Sequence, residues 1–111
     1  MKINNQYSNQ LINILDLITI ADVYSINVKY NLELDIFDIY DSLKTIKDSL
    51  EEGIFNINLE DKSFKNLKIF IGEQCIEDTE YILRAHNMNT GKEELDMYDT
   101  ALYDLYMSVP N

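Results

Sequence analysis

The stretch SINVKYNLE, residues 25–33, decides how the fold is read. Ile26, Val28, Tyr30 and Leu32 alternate with Ser25, Asn27, Lys29, Asn31 and Glu33. A period of two sends successive side chains to opposite faces of a strand, and β-branched and aromatic residues suit a half-buried pleated surface. The spacing predicts a strand with one face in the core.

Upstream, Ser8 is a suitable cap for a helix over about residues 9–22. Leu11, Ile14, Leu15 and Ile18 share one face, while Ile12, Leu17 and Ile20 fall outside that stripe. Such a helix is apolar over much of its circumference and is expected to be largely buried.

Downstream, Asp35 caps the best-marked helix, with Asp38 three residues later in a capping-box-like arrangement. Ile36, Ile39, Tyr40, Leu43, Ile46 and Leu50 fill an arc of about 120° when residues are placed about 100° apart. Gly53 is placed to end this helix in the left-handed conformation.

Two further alternations follow: Phe55, Ile57 and Leu59, then Leu67, Ile69 and Ile71, joined by a turn at Glu60-Asp61-Lys62-Ser63. Lys62, Lys65 and Lys68 would keep this hairpin soluble or protect an edge. Residues 73–79 read as a loop. Tyr81, Leu83 and Ala85 begin another alternation, although residues 78–86 also tolerate a helix. Asn89-Thr90-Gly91-Lys92 suits a hairpin turn into a return strand over about 93–97. A final helix runs from about Asp99 to Ser108, with Tyr98, Leu102, Leu105 and Val109 inward and Pro110 beyond its end.

The resulting order, α-β-α-β-β-β-β-α, predicts an α+β domain. An antiparallel sheet of about four to five strands would be covered by about three helices. Residues 1–7 read as a loose N-terminal segment and 8–111 as a single compact domain.

Composition narrows function by exclusion. The 111 residues contain 20 Asp+Glu against 9 Lys+Arg, a net charge of −11, with 46% hydrophobic residues. That apolar share is too high for a disordered acidic tail. The excess acid argues against anionic membranes and nucleic-acid phosphates as direct partners. The longest apolar run, Leu11 to Ile20, is broken by Asn13 and Asp16. It is too short to span a bilayer and lacks the flanks of a signal peptide. A lone cysteine, Cys75, points to a reducing cytoplasm, which would be a host cell's if the gene is phage-borne. The 15 Ile, 12 Asn, 8 Lys and 1 Arg fit an AT-rich source such as a low-GC bacterium, its phages or its plasmids.

Chemistry-bearing motifs are scarce. Gly53, Gly72 and Gly91 are isolated, so there is no glycine-rich phosphate loop and no expected cofactor. His86 is the only imidazole, which rules out a multi-histidine metal site. The runs Asp35/Asp38/Asp41 and Glu93/Glu94/Asp96 lack the spacing of a calcium loop, so no metal is expected. No nucleophile signature is present, and the protein is not expected to be an enzyme.

The acids are ordered in two places. On the helix after Asp35, Asp38, Asp41, Asp48 and Glu52 fall within about 80°, opposite the apolar arc. They extend over roughly 21 Å, about 7 Å per charge at the helical rise, so each carboxylate could stand in for a phosphate. Solubility alone would also favour acids on such a face. The second region holds Glu93, Glu94, Asp96 and Asp99 together with Tyr103 and Tyr106. Tyrosines among carboxylates make a plausible protein-binding surface.

These features lead to an expected function. The chain reads as a small acidic inhibitor of a protein with a basic nucleic-acid-binding surface, acting as a nucleic-acid mimic or steric blocker. Phage or mobile-element anti-defence proteins, of the anti-CRISPR or anti-restriction type, are the matching biological class. The competing readings are an antitoxin or immunity protein against a basic toxin, and a structural or assembly module, including a homodimer.

Overall fold

Thr19, just before the stretch that reads as a strand, opens a helix instead. In the computed structural model its hydroxyl accepts from the backbone N–H of Asp22, and the Asp22 carboxylate accepts from the Thr19 N–H at 2.9 Å. That reciprocal capping box starts a helix which carries the chain through Lys29. Residues 6–58, 63–72, 82–84 and 91–110 are described, and they form five helices and one short helical turn. The helices are α1 (Ser8–Leu17), α2 (Ile20–Lys29), α3 (Ile36–Glu51), α4 (Ser63–Phe70) and α5 (Lys92–Ser108). The turn covers 82–84.

Among the described residues there is no sheet, so the α+β expectation is wrong and the fold is all-helical. Each misread strand has a physical explanation. In α2, which takes in the first part of 25–33, the buried residues are Val23 and Ile26, three apart, whereas Val28 is exposed. Tertiary packing and the capping box override the strand preference of the β-branched residues. Over 64–71 the buried set is Phe64, Leu67, Phe70 and Ile71, a helical spacing, and Ile69 is 51% exposed. Ile82 and Leu83 are buried side by side, which no half-buried strand allows. The return strand over 93–97 is the first part of α5, with Gly91 as its N-cap residue. Residues 55–58 form no strand beyond a single isolated bridge at Asn56. The rest of the expected turns at 60–63 and 89–92, and the loop over 73–79, lie outside the described residues.

The expected single helix over 9–22 is two helices, bent by 85° at Ile18–Thr19. Ser8 does not cap α1; Tyr7 precedes it with no side-chain cap. The carbonyls at the end of α1 are satisfied from another helix. Lys44 Nζ donates to Leu15 O at 2.9 Å and to Asp16 O and Ile18 O at 3.3 Å. That lysine fills the role of a C-cap where the chain has no left-handed residue.

α2 and α3 end alike. After α2, Asn31 adopts φ 52° while Asn31 N–H donates to Val28 O and Leu32 N–H to Asn27 O. After α3, Gly53 adopts φ 77° while Gly53 N–H donates to Leu50 O and Ile54 N–H to Ser49 O. Both are Schellman motifs, which need a left-handed residue just past the helix, and Asn and Gly are the residues that tolerate it. The α2–α3 loop is further pinned by Asn27. Its amide accepts from Leu34 N–H at 3.0 Å and donates to Leu34 O at 3.3 Å.

α3 is central, packing on α1, α2 and α4, while α1 also packs on α5. Its buried residues are Ile39, Ser42, Leu43, Ile46 and Leu50; Ile36 and Tyr40 are half-buried at the margin. The core face is therefore turned toward Ser42 relative to the expected arc, because three helices surround α3. α5 supplies Tyr98, Leu102 and Leu105, with Val109 just past its end, as the spacing predicts, and Ala101 joins them. Each fully buried Leu or Ile here contributes on the order of 1.5–3 kcal/mol. No single described helix is long and apolar enough to cross a membrane.

Candidate functional site

α3 fixes its outward row from both ends. Asp35 accepts from the N–H groups of Phe37 and Asp38 at 3.0 and 3.3 Å, and Gly53 stops the helix. With the inward face locked in the core, the opposite arc must face solvent. Asp38, Asp41, Asp48 and Glu52 are all exposed. Thr45 fills the gap in their spacing, and its hydroxyl donates back to Asp41 O at 2.8 Å. The row Asp38–Asp41–Thr45–Asp48–Glu52 thus advances by three or four residues at each step along about 21 Å of helix.

Of the α3 lysines, Lys44 turns away from this row, whereas Lys47 reaches one member of it, Asp48. Lys44 lies over the Tyr40 ring at 5.1 Å and points to the end of α1. Burial pulls its ammonium pKa below 10.5, against the opposing pull of Asp16. Lys47 Nζ sits 3.3 Å from Asp16 and 3.7 Å from both Asp48 and Glu51. The hydrogen bond to Asp16 raises the Lys47 pKa above 10.5. Only Asp48 in the row has a cation beside it in these contacts, and at 3.7 Å on an exposed surface the pairing is weak. Phe37, 66% exposed, stands at the start of the same helix.

The second acidic region divides. Glu93, Glu94 and Asp96 are exposed in the first turns of α5, where they also complement its dipole. Asp99 is half-buried. Tyr103 faces solvent, whereas Tyr106 is half-buried, 6.3 Å from the Tyr103 ring centre to centre. Lys68 lies over the Tyr106 ring at 4.7 Å and donates to Val109 O. A Cβ on Gly72 would meet that ring at 3.1 Å. Tyr106 is therefore part of the α4–α5 junction, and Lys68, expected on a solvent face, is part of it too. Lys65 is exposed on α4; Lys62 lies outside the described residues.

An open depression of about 600 Å³ lies between α1 and the start of α5, lined by Gln10, Gly91, Lys92, Glu93, Glu94 and Met97. It is a wide, open surface feature rather than an enclosed apolar pocket. Among the described residues no three His, Cys, Asp or Glu side chains converge on a metal position. His86 and Cys75 lie outside the described residues.

Sequence reasoning found the α3 row because α3 itself was legible. It missed Lys44 and Asn27, whose roles depend on which helix or loop lies opposite. Comparison of the chain with protein-family models, curated proteins and solved structures gives no match.

Proposed function

We propose that this protein is a non-enzymatic inhibitor which occupies the basic nucleic-acid-binding surface of a nuclease or related protein, as phage and mobile-element anti-defence proteins do. One observation carries the reading: four exposed carboxylates in a row on α3, with Lys44 turned away toward the end of α1. A fixed line of carboxylates on a rigid helix presents negative charge as a nucleic-acid strand does, and attraction to a basic groove speeds association.

The test is capture of proteins on the immobilised chain from a low-GC bacterial lysate, followed by elution with added DNA. The reading expects nucleic-acid-binding proteins that DNA displaces and that are lost on a variant carrying Asp38→Asn, Asp41→Asn, Asp48→Asn and Glu52→Gln. Retention of the same proteins by the variant would refute it. Capture of a single basic toxin, neutralised by the chain, would support the immunity-protein reading instead.

A further inference from the structure

We draw no further inference here: the strongest candidate, the exposed face of α2 at Tyr24 and Val28, carries nothing because nothing in the structure shows what covers it.

Discussion

Replacing Lys44 with methionine keeps the length and most of the apolar contact of the side chain but removes the three bonds that close α1. Hydrogen bonds from charged donors contribute about 1.5–3 kcal/mol when well formed, and less where water competes. The Leu15 O bond is part-buried and short; the Asp16 O and Ile18 O bonds are longer. Allowing for the burial penalty that Lys44 already carries, the substitution should cost about 2 kcal/mol. For a domain of this size that corresponds to roughly 8 °C in Tm. Urea unfolding followed by circular dichroism at neutral pH would measure it. The pH dependence gives a second check. The folded-state pKa of Lys44 lies below 10.5, so between that value and 10.5 the unfolded chain binds more protons. Native stability therefore gains on the variant as pH rises through this window. Lys47 has the opposite sign and is common to both proteins: its contribution is complete below 10.5 and is lost as pH passes its raised folded-state value. A neutral-pH difference under about 0.5 kcal/mol would refute the claim that Lys44 caps α1.

Three other substitutions probe the helix junctions. Asn27→Ala removes both side-chain bonds to Leu34 and should cost about 1–3 kcal/mol, with faster hydrogen exchange at the Leu34 amide. Gly53→Ala meets no steric obstacle but forces a left-handed alanine at φ 77°, so a loss of about 1 kcal/mol is expected in chemical denaturation. Gly72→Ala presses a methyl group on the Tyr106 ring and should lower stability by about 1–2 kcal/mol, an effect largely relieved when Tyr106 is also replaced by leucine.

α3 was legible because its sequence marks both ends and one face: Asp35, Gly53 and an uninterrupted helical apolar spacing all agree. Its acidic row followed directly. α2 was not, because Ile26, Val28, Tyr30 and Leu32 satisfy a period of two while Val23 and Ile26 satisfy a helical spacing. Only the partner helix decides which of these is buried. The Thr19–Asp22 box was the signal available in the sequence. Similarly, Leu67, Ile69 and Ile71 alternate, yet Phe64, Leu67 and Ile71 are the buried helical set, on or next to the helix that packs against α3. In α5, Tyr98, Leu102 and Leu105 were read correctly, but Gly91 suggested a hairpin and hid seven residues of helix before Asp99. Tyr103 and Tyr106 separate for a similar reason: the sequence cannot show that Gly72 and Lys68 sit against Tyr106.

The central claim is that the position of the α3 carboxylates matters, beyond bulk charge. The most direct measurement compares two variants that each remove four negative charges. One carries Asp38→Asn, Asp41→Asn, Asp48→Asn and Glu52→Gln; the other carries Glu93→Gln, Glu94→Gln, Asp96→Asn and Asp104→Asn. Both go from −11 to −7. Association with a captured nucleic-acid-binding partner, timed at low and moderate salt, should collapse for the α3 variant and stay near native for the α5 variant. Equal losses in the two variants, or association with the native chain that does not slow as salt rises, would contradict the account.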